Sequence, residues 1–152
     1  MQTQNILVAT DFSDASELSL RAAAMLAKQF SSKVTVVHVF DPAPLAPIAT
    51  RGLSGPDQLA NKEHVENAIH EKLESIREET FSEIPDVKAV LIMAASPATA
   101  ICDYAAKEGV DLIVLSTHGR TGLDHLLIGS VAERVVRHAL CPVLTLRSKR
   151  NA

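Results

Sequence analysis

Tryptophan is missing from the sequence, and aromatic residues fill only 3% of its 152 positions. Stacking platforms for single-stranded nucleic acid are therefore not expected. Neither charge dominates: 15 Lys and Arg against 18 Asp and Glu leave a formal net charge of -3. That offers no electrostatic footprint for nucleic acid, and the Lys149-Arg150 tail is too short to supply one. No apolar run approaches the length that crosses a bilayer, so no membrane association is expected. The opening Met1-Gln-Thr-Gln-Asn5 lacks a basic region followed by an apolar core, so the expected location is the cytoplasm. Cysteine occurs only at Cys102 and Cys141, without C-x-x-C spacing, and both are expected as reduced, partly buried thiols. Glycine is scarce too, with six in all, and three of them crowd into one stretch at Gly119, Gly122 and Gly129.

What is present is a globular composition, 47% hydrophobic and 22% charged, of a length that suits one domain over residues 1–152. Residues 5–10 (Asn-Ile-Leu-Val-Ala-Thr) form a continuous apolar run of the kind found in strands covered on both faces. Asp14 with Glu17 three positions on matches a capping box, which predicts a helix from Asp14 to Phe30. Its expected inner face carries Leu18, Ala22, Met25 and Gln29, with Ala15 and Leu26 beside it. Residues 33–40 are β-branched and predict a second strand. Four prolines and two glycines make residues 41–57 a long surface loop and a possible lid. A polar helix is predicted over 58–81 with Val65, Ala68, Ile69, Leu73 and Ile76 as its stripe. A third strand over 87–93 follows, then a helix opened by Ser96-Pro97 and ended by Gly109. Ala98, Ile101, Cys102 and Ala105 make the buried face of that helix. Residues 110–115 and 143–146 complete five strands, with a helix from Ser130 between them. Strands alternating with helices predict a parallel sheet with helices on both faces.

The stretch from Leu115 to Val131 joins a strand, a loop with three glycines and a helix start. That order suits an anion, because glycines let backbone N–H groups approach it and a first helical turn leaves N–H groups unpaired. Asp11 follows the first strand and this loop follows the fourth, so both open onto one crevice if those strands are neighbours. The loop is no Walker A motif, and G-x-G-x-x-G is absent after the first strand. No G-x-S-x-G elbow is present, and the six histidines do not have the spacing of a metal site. The glutamates from Glu71 to Glu83 read as a solvated face.

Taken together, Ala9-Thr-Asp-Phe-Ser13, Val37-His-Val39, Ser116-Thr-His-Gly-Arg-Thr-Gly122 through Gly129-Ser-Val-Ala-Glu-Arg-Val-Val136, and Cys141-Pro-Val-Leu144 resemble the universal stress protein family. The resemblance implies a Rossmann-like, five-stranded parallel sheet of order 3-2-1-4-5. It also implies an adenine-nucleotide site of the pattern G-x-x-G-x(9)-G-[ST]. Gly119 matches the second glycine and Gly129-Ser130 the closing pair, while Ser116 stands where the first glycine would be. By resemblance Asp11 accepts from ribose hydroxyls or the adenine amino group, Ala9 lines the adenine pocket and Val39 contacts the base. Ser130 serves the helix start as well as a phosphate, and His118 and Arg120 flank Gly119, with Arg120 equally readable as a solvated loop cation. Thr10, Leu115 and Val131 border these positions and complete the expected binding set. The ligand implied is ATP, or ADP or AMP, with Mg²⁺ at its phosphates.

The resemblance also places the last strand at the sheet edge, where Val143, Leu144 and Leu146 would pair two copies as a homodimer. A monomer shielded by residues 147–152 is the alternative. The function expected is a dimeric switch read by a protein partner. A slow ATP-hydrolysing enzyme and a nucleotide-free dimeric scaffold are its rivals.

Overall fold

A computed structural model of the chain describes residues 3–42, 56–117 and 129–147. Its elements are β1 (Asn5–Ala9), α1 (Asp14–Phe30), β2 (Lys33–Phe40), α2 (Pro56–Thr80), β3 (Val87–Met93), α3 (Pro97–Lys107), β4 (Leu112–Ser116), α4 (Ser130–His138) and β5 (Val143–Leu146). The strands form one sheet of order β3-β2-β1-β4-β5, and every neighbouring pair is parallel. The predicted architecture and strand order therefore hold.

Side chains alternate across the sheet and build two separate cores. On one face Ile6 and Val8 of β1, with Val34 and Val36 of β2, meet Leu20 and Ala23 of α1 and Ile69 and Leu73 of α2. On the other face Leu7, Val37, Ile113 and Leu115 meet Ala98 and Ile101 of α3 and Ala132 and Val135 of α4. Because both faces are covered, β1 is apolar along its length, with Ile6, Leu7 and Val8 all fully buried.

The edge opposite the strand C-termini sets the alignment of β1 and β4. Asp111 Oδ2 accepts from the N–H groups of Gln4 and Asn5, each at 2.9 Å. The Asn5 side-chain amide donates to the carbonyls of Glu108 and Gly109 at 3.0 and 3.2 Å. Ile6 is thereby paired with Leu112 and Val8 with Val114, which brings the two strand ends level.

Four local expectations change. The N-cap of α1 is Ser13, whose hydroxyl accepts from the Ser16 N–H at 3.3 Å, so Asp14 is the first helical residue and not the cap. The inner face of α1 is Ser16, Ser19, Leu20, Ala23, Ala24 and Ala27. Met25 is 73% exposed and Leu18 40% exposed. Small side chains let the helix approach the sheet closely, and this outweighs the apolar bulk that pointed to the other face. In α2 the buried line is Ile69 and Leu73, with Val65 and Ile76 partly buried, while Ala68 is exposed. Val110 lies outside β4: its N–H donates to the Ala105 carbonyl at 2.9 Å across Gly109, which is left-handed at φ 62°. That is the helix-ending bond of a Schellman motif, and Val110 supplies its buried apolar contact.

Candidate functional site

A cavity of about 330 Å³ lies where the winding of the sheet reverses, at the carboxyl ends of β1, β2 and β4. Nine of the twelve residues expected at a binding site line it: Ala9, Thr10, Asp11, Val39, Leu115, Ser116, Gly129, Ser130 and Val131. The other three, His118, Gly119 and Arg120, lie outside the described residues, as do Gly122 and Asp124. Six lining residues went unanticipated: Val37, His38, Pro97, Ile101, Thr117 and Ala132. Pro97 and Ile101 come from α3, whose start the sequence located without showing that it walls the crevice.

The apolar wall is continuous with the α3–α4 core, since Val37, Leu115, Ile101 and Ala132 belong to both. Polar groups cluster at two ends. At one, Asp11 Oδ1 accepts from the Ser13 N–H at 3.1 Å and from the Ser13 hydroxyl at 2.5 Å. Asp11 thus braces the turn into α1 while lining the cavity. Thr10 is tied in as well, its N–H donating to the Val37 carbonyl at 2.9 Å.

At the other end stands the N-terminus of α4. Its N-cap is Gly129, not Ser130, and glycine has no side chain with which to cap the first turn. Gly129 has φ -68° and ψ 155°, so a special backbone conformation is not the reason for glycine here. What glycine does is leave out a side chain, so the cap residue gives the first-turn N–H groups no acceptor at a helix start that lines the cavity. The Gly129 N–H itself donates to the Thr117 carbonyl at 2.6 Å, which fixes this helix start against the end of β4. Such a terminus carries the positive end of the helix dipole and favours an anion.

Ser116 closes β4, paired with Leu146, in ordinary extended backbone. Serine can hold that conformation, so the absence of glycine there imposes no strain. Both cysteines are free and half-buried. Burial pushes the Cys102 and Cys141 thiols above their ordinary range, which keeps them protonated at neutral pH. Among the described residues no group of three or more His, Cys, Asp or Glu side chains could hold a metal ion. Among them, too, no helix is long and apolar enough to cross a membrane.

A parallel sheet wound both ways from β1, with its crevice at the reversal, defines a Rossmann-like doubly wound α/β protein. The model of the universal stress protein family matches residues 2–147. The chain belongs to that family. It is 33% identical over 148 residues to universal stress protein MJ0531 of Methanocaldococcus jannaschii, covering 97% of this chain and 84% of that protein. It superposes on the solved structure of MJ0577 with a TM-score of 0.84 at 27% identity, covering 99% of this chain and 100% of that one. A universal stress protein solved in complex with cAMP gives 0.70 at 21% identity, over 98% of this chain and 100% of that one. One from Archaeoglobus fulgidus in complex with dAMP gives 0.61 at 24%, over 95% of this chain and 98% of that one. At those identities the last two speak for the fold alone.

Proposed function

We propose that this chain is a cytoplasmic adenine-nucleotide-binding module of the stress response, acting as an ATP-dependent dimeric switch and not as an enzyme. The observation that carries the reading is the placement of Asp11 and the uncapped N-terminus of α4 at one cavity. The nucleoside lies against Ala9, Val37, Val39, Ile101 and Leu115, with Asp11 accepting from ribose hydroxyls or the adenine amino group. The phosphates lie on the N–H groups of Ser130, Val131 and Ala132, with the Ser130 hydroxyl beside them; His118, Gly119 and Arg120 belong to the same proposed set by sequence and lie outside the described residues. At about 330 Å³ the cavity is at the small end of ligand pockets, which suits a nucleoside whose phosphates extend along the helix start. Two universal stress proteins that share the fold were solved with cAMP and dAMP, ligands of the class proposed here. Mg²⁺ would neutralise phosphate charge there, with Asp124 as the loop carboxylate able to help hold it.

The switch acts through a homodimer paired along β5, an edge strand of the sheet. Val143, Leu144 and Leu146 form the pairing strand, and Leu140, 90% exposed, extends the apolar surface beside it. The partner that reads the state of the switch is a protein.

Isothermal titration with ATP and Mg²⁺ tests the site. Binding is expected in the wild type and is weakened in Asp11→Ala and in Gly119→Val. Unchanged affinity in both variants contradicts the assignment. Incubation with ATP for hours separates switch from enzyme: bound, intact nucleotide is expected, and steady release of product at ordinary enzyme rates would make the chain a hydrolase.

A further inference from the structure

The turn between β1 and α1 holds a feature that nucleotide contact alone does not explain. Phe12 has φ 64°, in the left-handed region where a bulky side chain is a rare occupant. A conformation of that kind persists only when its surroundings hold it. Three contacts do so here. The Phe12 ring lies on the His38 ring, with centroids 4.3 Å apart and planes 32° from parallel. Lys72 of α2 brings its ammonium to 5.3 Å from the centre of the same ring. The Phe12 N–H donates to Thr10 Oγ1 at 3.0 Å.

His38, only 6% exposed, is itself anchored. Its Nδ1 lies 2.8 Å from the Thr10 carbonyl oxygen, which can only accept, so Nδ1 carries the proton and the ring orientation is set. Thr10 continues the network. With its hydroxyl oxygen accepting from Phe12, its proton points to Ser16 Oγ at 3.0 Å, and the Ser16 hydroxyl donates to the Ser13 carbonyl at 2.7 Å. Thr10, Phe12 and Ser13 are thus each gripped, and Asp11 sits among them.

The two sides of this turn face different parts of the molecule. The Phe12 ring packs into the core under α1 and α2, whereas its neighbour Asp11 lines the cavity at the reversal of the sheet. Because the residues are consecutive, the dihedral of Phe12 sets the direction in which the chain carries Asp11 relative to Ser13. Relaxation of Phe12 to an ordinary φ would swing the peptide between them and break the two Asp11–Ser13 bonds.

We propose that Phe12 is a positioning residue: its ring, clamped between His38 and Lys72, keeps the turn left-handed so that the Asp11 carboxylate faces the crevice. The proposal rests on the nucleotide reading of that crevice. It adds that the residue responsible for aiming the carboxylate packs, partly buried, on the α1–α2 side of the sheet and is none of the proposed ligand contacts.

The test is a double-mutant cycle read by calorimetric titration of AMP into the full chain, with thermal unfolding of each variant alongside. Phe12→Gly adopts the left-handed conformation without strain, so it folds, yet it lacks the ring that holds the turn. Its AMP affinity is expected to fall about tenfold, the range of one misplaced contact. Phe12→Tyr keeps the ring and should bind within about twofold of the wild type on the same grounds. The decisive variant carries Asp11→Ala and Phe12→Gly together. It should bind no more weakly than Asp11→Ala alone, because no carboxylate is left to aim. Wild-type affinity in Phe12→Gly, or losses that add in the double variant, overturns the proposal. A failure of the nucleotide reading looks different: the wild type ignores AMP, or Asp11→Ala binds as the wild type does. Hydrogen exchange at the Ser13 amide in ligand-free protein then decides the matter, because that N–H is bonded to the Asp11 carboxylate. Its protection falls in Phe12→Gly and not in Phe12→Tyr if the ring holds the turn, and is kept in both if it does not.

Discussion

Among the described residues two side-chain-bearing positions hold left-handed backbone, Phe12 at φ 64° and Ser31 at φ 54°. They do so for different reasons. Ser31 ends α1, and the following Ser32 N–H reaches the Ala27 carbonyl at 3.0 Å, the bond that closes such helix ends. No side-chain contact requires serine there. Ser31→Gly should therefore stabilise the fold by about 0.5–1 kcal/mol, seen as a thermal midpoint raised by about 1–4 °C. A lowered midpoint would mean that the Ser31 side chain contributes more than its backbone costs. The serine pair was readable as a helix stop, because serine competes for backbone hydrogen bonds. Nothing in residue type marked Phe12, since a phenylalanine after Asp reads as an ordinary loop residue. Its conformation comes from His38 and Lys72, which are distant in sequence, and only the folded chain brings the two rings and the ammonium together.

The elements themselves were legible because physics writes them locally. Runs such as Val34 to Val37 are β-branched and buried on both faces, and helix boundaries at Ser31, Ser96 and Gly109 carry their own signals. What local pattern could not decide is which side of α1 meets the sheet. Periodicity weights large apolar residues, whereas a helix lying across a parallel sheet gains most from close approach, and here alanine and serine face inward. Two substitutions check this. Met25→Ala on the outer side of α1 should change stability by no more than about 0.5 kcal/mol in chemical denaturation. Leu73→Ala, at a fully buried position of α2, should cost about 2–5 kcal/mol. A large loss at Met25 would show that this side of α1 is covered. The candidate site divides in the same way. Asp11, Gly129 and Ser130 were visible as strand-end and helix-start residues, while Ile101 and Ala132 were readable only as core. They line the cavity because α3 and α4 cross the sheet where its winding reverses.

For the whole molecule, strand order accounts for two properties at once. The reversal between β1 and β4 opens the crevice, and the same winding leaves β5 as an outer strand with Leu144 36% exposed. If two copies pair there, Leu144→Lys should shift the sedimenting species from dimer to monomer without unfolding it, since charge on an edge strand opposes pairing. A wild-type chain that sediments as a monomer would remove the dimer from the account. The proposed function turns on the start of α4, where Gly129 supplies no side-chain cap and a phosphate would lie. Gly129→Asp puts a carboxylate where that phosphate would lie and also supplies the helix with a good cap. Calorimetric titration of this variant with ATP and Mg²⁺, beside the wild type, is the most direct measurement. The account predicts at least a tenfold loss of affinity, from the repulsion and lost N–H groups, with a thermal midpoint equal to or above that of the wild type. Undiminished nucleotide binding by the folded variant would contradict it.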